Sequence, residues 1–352
     1  MIVTGPGNCI TDVDGIRVGH HTDPGAGTGC SVVLCEDGAV GGVSVMGAFP
    51  GSREIAMLGP TSVDSVVHAI LLTGGTVFGL DAASGILRYL EARRKGYRLG
   101  RIYVPRVPGA VIFDLGFINH RVRPTADDGF AASESAIDSA SGEGTIGAGT
   151  GATVGKLGEL KQAMKGGFGT ASVDLGHGVI VAAAVVTNSI GGIYDPADGR
   201  VLAGPRSRAQ TGAPTGTQIG EETIIDSLRH IVSADYRPPK WASGTNTTIG
   251  VIATNARLTT SDANRLATVG HDGIALAVRP AHMQYDGDTL FAIGTGATDT
   301  PVDMTRLGAA AAHCVAQAAV SGVLAATGLG GIPAVSDVRK TDRLGSGDAN
   351  GG

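Results

Sequence analysis

The sequence has few aromatic residues and little charge. Phe, Trp and Tyr make up 4% of its 352 residues, and charged residues 17%, against a usual charged share of about 25%. A chain this long and apolar can bury a large core, which excludes a disordered polypeptide. Net charge is −5 and no polybasic block occurs, so nucleic acid is not an expected partner. The four cysteines (Cys9, Cys30, Cys35 and Cys314) are too few for a disulfide scaffold and lack C-x-x-C spacing. Cys30 and Cys35 have no further zinc ligands in register, so buried free thiols in a cytoplasmic protein are expected, without metal or cofactor. No signal peptide is expected, because Met1 to Gly15 carries polar and acidic residues early. The apolar stretch from Leu307 to Leu329 is interrupted by His313 and Gln317, which predicts a buried helix and no membrane partner.

Glycine is in excess, at 57 residues, with 15 Pro. It shows no three-residue period, so a collagen-like rod is excluded. Tight turns or close backbone approach account for so many small residues. Strand pattern occurs at Val40 to Met46, Ile102 to Val104, Val179 to Thr187, Thr248 to Thr254 and Thr289 to Ile293. Helical pattern occurs at Val63 to Leu72, Leu80 to Arg94, from an N-cap at Ser261 to Val278, and at Thr305 to Ala326. Strands and helices interleave without a regular βαβ period, which favours a layered α/β or α+β sandwich. From 204 to 246 the chain turns rich in Pro, Gly, Ser and Thr, with one short helical piece at Glu222 to Ile231. This stretch reads as a flexible linker, and 340–352 as a disordered tail.

Several motifs fail on inspection. Gly147 to Lys156 looks like a phosphate loop, but that pattern needs Gly at 150 and Ser or Thr at 157, where Thr150 and Leu157 stand. Asp286-Gly287-Asp288 opens no EF-hand, because its twelfth position is Ala297. It reads as a turn, or as a pair of acceptors that orient an amine. No H-E-x-x-H and no G-x-S-x-G occurs. Thr247 follows the linker and begins a strand. It is either a β-former or the nucleophile of a chain that cuts itself. In the second case the hydroxyl attacks the preceding carbonyl, and water then frees a new N-terminus. The free α-amine, of pKa about 7.7–8.0 before perturbation, then serves as general base for the hydroxyl.

The parts that carry a family resemblance occur in order. They are Ile10-Thr11-Asp12-Val13-Asp14-Gly15-Ile16-Arg17-Val18-Gly19-His20, Leu72-Thr73-Gly74-Gly75-Thr76-Val77-Phe78-Gly79-Leu80 and Pro108-Gly109-Ala110-Val111-Ile112-Phe113-Asp114. Gly147 to Lys156, Val185-Val186-Thr187-Asn188, Asn246-Thr247-Thr248-Ile249 and Asp286 to Ala292 follow. The sequence resembles the self-processing aminopeptidases of the DmpA type, which include β-aminopeptidases and 6-aminohexanoate-oligomer hydrolases. The resemblance implies a four-layer αββα sandwich and a single catalytic domain over 1–352. Autocleavage between Asn246 and Thr247 would give chains 1–246 and 247–352.

On the same resemblance Thr247 is the nucleophile and Asn188 helps to bind the oxyanion. Lys156 tunes charge beside Thr247, and Asp286 and Asp288 orient the Thr247 amine and Lys156. Gly74, Gly75 and Phe113 are implied as substrate-binding or oxyanion residues. Phe113 stands where some members have Tyr, and Thr247 where many have Ser, which leaves the substrate open. The implied activity is hydrolysis of an amide, in short peptides (β- or D-amino acid peptides included) or in oligomeric amides. Acyl transfer like that of the ornithine acetyltransferases and a non-catalytic small-molecule binding protein are the alternatives. A homo-oligomer, such as a tetramer, is expected. The glycine loops at Gly74-Gly75, Gly147 to Gly155, Gly191-Gly192 and Gly287 are expected to crowd around Thr247.

Overall fold

The computed structural model describes residues 2–208, 216–219, 222–237 and 245–339. The expected tail at 340–352 lies outside the described residues, as do 209–215, 220–221 and 238–244 of the expected linker. The principal elements are β1 (Arg17–Asp23), β2 (Thr28–Val45), β3 (Val66–Thr73), α1 (Ala82–Ala92), β4 (Gly109–Val111) and α2 (Ala126–Glu134). β5 (Gly167–Asp174), β6 (Ile180–Asn188), β7 (Thr247–Ala256), α3 (Thr260–Ala277), β8 (Thr289–Thr298) and α4 (Met304–Leu324) follow.

One long strand ties two layers of sheet together. Residues 28–34 of β2 pair with β1, and residues 40–45 pair with β8. Between them the register against β3 shifts and Gly38 takes φ +92°. One side carries β1, β3 and β4; the other runs β5-β6-β7-β8-β2. β7 and β8 are parallel, while β6 and β7 are antiparallel.

Alternation along the strands sorts side chains into three cores, as a two-residue period requires. Val33, Ile70, Leu72, Ala184, Val186, Ile249, Val251 and Phe291 meet between the sheets. Val32, Leu34 and Leu71 face the opposite way, against Ile86 and Leu90 of α1 and Ala132 of α2. On the other outer face, Ala183, Val185, Ile252 and Leu290 pack on Leu266, Ile274, Ala311 and Val315 of α3 and α4. Helices therefore cover both outer faces, and the architecture is αββα. α4 is long and apolar enough to span a bilayer by composition. Its apolar side lies on β5, β6 and α3.

Three local expectations are corrected. Val63 to Leu72 is not a helix; Val66–Thr73 is a strand whose residues from Val67 onward are buried. A short apolar run covered on both faces carries no helix period to distinguish it. The N-cap of α3 is Thr259, not Ser261. The Thr259 hydroxyl accepts from the Asp262 amide, and Asp262 reaches back to the Thr259 amide, a capping box. The helical piece at Glu222 to Ile231 is divided into a strand, Glu222–Ile225, and a short helix, Ser227–Ile231. That strand pairs with Arg206–Arg208 and Gly216–Ile219 in a three-stranded sheet. The described residues of 204–246 thus include a three-stranded sheet and one short helix.

The glycines mark backbone contacts throughout the sandwich, not only near Thr247. A Cβ on Gly85 would lie 1.7 Å from Ala126 O, where α1 crosses α2, and one on Gly322 would lie 2.7 Å from Gly169 N, where α4 meets β5.

Candidate active site

The register of three strands brings the motif residues together. Asn188, the last residue of β6, pairs with Thr247, the first of β7. Just before β8, Asp286 bridges to Asn246 in the parallel sense. Thr247 therefore lies between a strand end and the loop that enters β8. Asn188, Asn246, Thr247, Lys156, Asp286 and Asp288 are all buried.

The Thr247 hydroxyl donates to the Asn246 carbonyl oxygen. The Gly287 amide donates to that same oxygen at 3.0 Å. An ideal Cβ on Gly287 would stand 2.9 Å from Thr247 Oγ1 and 2.8 Å from Phe49 O. Only glycine leaves the hydroxyl and amide this close to one carbonyl.

Lys156 enters from a turn at Gly155, whose φ is +71°. The Gly155 and Lys156 amides donate to Gly191 O and Ile190 O, both at 3.0 Å. Lys156 Nζ donates to Asn188 O (2.9 Å), Asn188 Oδ1 (2.8 Å) and Thr245 O (2.9 Å). Three acceptors match the three protons of an ammonium. Burial nevertheless pulls its pKa down from 10.5 to about 7, against the attraction of Asp286. Burial also pushes Asp286 up to about 7, and Asp288 adds to this. Asp286 Oδ2 accepts from the Met283 amide at 2.7 Å, and its Oδ1 is buried with no hydrogen-bond donor among the described residues.

Other expected residues lie nearby in different arrangements. Asn188 Nδ2 donates to Phe113 O (3.2 Å) and Thr245 O (3.1 Å). Both of its hydrogens are thus engaged, and neither reaches the Asn246 carbonyl. Asp288 Oδ1 accepts from the Thr248 amide at 2.6 Å and Oδ2 from His282 at 2.7 Å. It holds the residue after Thr247, not the Thr247 nitrogen or Lys156. Gly74 and Gly75 do not offer free amides. Gly74 N donates to Gly29 O (2.9 Å) and Gly75 N to Asp114 Oδ1 (2.7 Å). They shape the wall behind Asp114, where a Cβ on Gly74 would lie 2.0 Å from Asp114 Oδ2.

A cavity of about 410 Å³ opens beside Lys156 and Thr245, and Phe113, Phe117 and Leu160 give it apolar walls. Asp114, also in the wall, is pushed up to about 6 by burial. A second buried lysine backs this wall. Lys165 Nζ donates to Thr150 O (2.6 Å) and Ala152 O (2.8 Å) and lies 4.8 Å from the Phe117 ring centre. Lys165, His282 and the Gly287 amide are residues that sequence reasoning missed. Gly287 lies within a recognised motif; a single Lys before Gly166-Gly167 gives no signal.

The arrangement sets a hydroxyl against a carbonyl already polarised by a backbone donor, in a buried site. Such preorganised donors are the usual means of stabilising an oxyanion.

A family model described as peptidase family S58 matches residues 8–335. An uncharacterized aminopeptidase of Mycobacterium tuberculosis is 42% identical, over 94% of this chain and 98% of its own. A 6-aminohexanoate-oligomer endohydrolase of Kocuria sp. is 33% identical, over 86% of this chain and 82% of its own. Among solved structures, the L-aminopeptidase D-Ala-esterase/amidase of Ochrobactrum anthropi, described as a variant of the Ntn hydrolase fold, superposes with a TM-score of 0.68. It covers 98% of this chain and 96% of its own at 21% identity, a likeness of fold.

Proposed function

The chain belongs to peptidase family S58, and on that premise we propose that it is a self-processing amide hydrolase whose nucleophile is Thr247. The observation that carries this reading is the shared carbonyl: Asn246 O accepts from both the Thr247 hydroxyl and the Gly287 amide. Oγ1 attacks the Asn246 carbonyl carbon, and the Gly287 amide steadies the negative oxygen. The Thr247 nitrogen takes a proton and leaves, and an ester joins Asn246 to Thr247 Oγ1. Water hydrolyses the ester, which frees the Asn246 carboxylate and the Thr247 amine. That amine is then the base for attack on a substrate amide.

Departure of 245–246 also frees one hydrogen each on Lys156 Nζ and Asn188 Nδ2, which both hold Thr245 O in the intact chain. They then face the substrate, with the Gly287 amide as oxyanion donor. The substrate class is a short peptide or a small oligomeric amide, with an apolar acyl part against Phe113, Phe117 and Leu160. Assembly as a homo-oligomer belongs to the same reading and is checked by light scattering.

Denaturing mass analysis of the purified protein tests the proposal. Fragments of roughly 25 and 11 kDa, from the shares of a 35.2 kDa chain, support it. A single full-length species that hydrolyses no amide overturns it.

A further inference from the structure

The loop that carries Asp288 is held by a residue outside every motif. His282 donates to Asp288 Oδ2 twice, from its backbone amide at 3.1 Å and from Nδ1 at 2.7 Å. Its φ is +59°, in the left-handed region that a side chain disfavours. On the far side of the ring, Nε2 faces His271 O at 3.5 Å. Both ring nitrogens thus face oxygen acceptors, the arrangement of an imidazolium. The other titratable groups around it are consistent with that charge. Asp286 attracts it, and His271, stacked edge-on at 4.8 Å, is kept neutral because burial pushes it down to about 4. Asp272 acts on His271 from the same helix.

Asp288 passes the restraint on. Its Oδ1 accepts from Thr248 N at 2.6 Å. The β7–β8 ladder begins one residue later, at Ile249 and Thr289. The Asp288 carboxylate therefore does for Thr248 what the ladder does for the residues beyond. Chain ends fray unless tied down, and processing turns Thr247 into a chain end at this position.

We infer that His282 is a positioning residue: it clamps Asp288 and, through it, the Thr248 amide, so that Thr247 keeps its place after it becomes a terminus. The inference rests on Thr247 as the processed nucleophile; the clamp on Thr248 itself does not.

His282→Gly in the full chain tests it. Glycine suits the left-handed backbone and keeps the backbone N–H bond to Asp288 Oδ2, so the variant removes the ring and its bond without straining the turn. Nuclear magnetic resonance is expected to show both His282 ring nitrogens protonated at pH 7 in the parent protein. In the variant, hydrogen exchange at the Thr248 amide is expected to rise at least tenfold. On a small amide substrate, kcat is expected to fall roughly ten- to hundredfold, the loss of one charge-assisted bond, with KM within about twofold. Unchanged Thr248 exchange, or a raised KM at constant kcat, overturns the inference. In His282→Asn, which tolerates the same backbone and can offer Asp288 Oδ2 an Nδ2 donor, Thr248 exchange is expected to stay within about threefold of the parent; a tenfold rise there overturns the inference, whether or not His282→Gly folds. The exchange measurement needs no activity, so it still decides the clamp if the parent chain proves not to process or hydrolyse.

Discussion

The amide of Gly287 donates to the carbonyl oxygen of Asn246, the residue immediately before Thr247, at 3.0 Å. The contact exists because the chain at 246 runs parallel to the chain at 286. A backbone donor fixed by sheet pairing needs no reorganisation when charge develops on the oxygen.

Gly287→Ala is expected to slow processing by roughly a hundredfold or more, the scale of losing one oxyanion donor. The added methyl would sit 2.9 Å from Thr247 Oγ1 and 2.8 Å from Phe49 O, so the loop must shift. The time course of fragment appearance in the folded protein, read on samples denatured for analysis, measures it.

Thr247→Ala is expected to remain a single chain and to hydrolyse no amide. Thr247→Ser keeps a hydroxyl beside the same carbonyl and is expected to process. Intact-mass analysis separates the two outcomes.

Stability is expected to rise with pH above neutrality. Burial lowers Lys165, like Lys156, from 10.5 to about 7. Between about 7 and 9 the unfolded chain therefore binds more protons at these sites than the folded one, and ΔG of unfolding climbs with pH; above about 9 the buried thiols of Cys30, Cys35 and Cys314, pushed up to about 12, act the other way. Lys165→Met keeps the packing and removes one such site. Its melting temperature is expected to climb less between pH 7 and pH 9 than that of the parent, as read by calorimetry.

Thr259→Ala removes the hydroxyl that accepts from Asp262 N at the start of α3. A loss of about 1 kcal/mol of stability is expected, seen as a lower midpoint in urea, with kcat unchanged.

The layered architecture and the ordered motifs are legible because strand alternation and local motif order are written in the sequence. Val66–Thr73 is not, because a strand covered on both faces shows no polar phase. The site is legible as a set of residues but not as a set of bonds. Asp288, expected to hold an amine, instead holds Thr248 and His282. Gly75, expected to face a substrate or oxyanion, instead gives its amide to Asp114. Such pairings depend on register between segments far apart in the chain, which local sequence does not specify.

β7 and β8 lie between β6 on one side and β2 on the other. A cut between Asn246 and Thr247 would place the two inner strands on one fragment and their flanking strands on the other. Each fragment would then be threaded through the other's sheet, and separating them would mean breaking the ladders with β6 and β2 together. The processed protein would behave on dilution as a single molecule, and its two pieces would part only under conditions that unfold both.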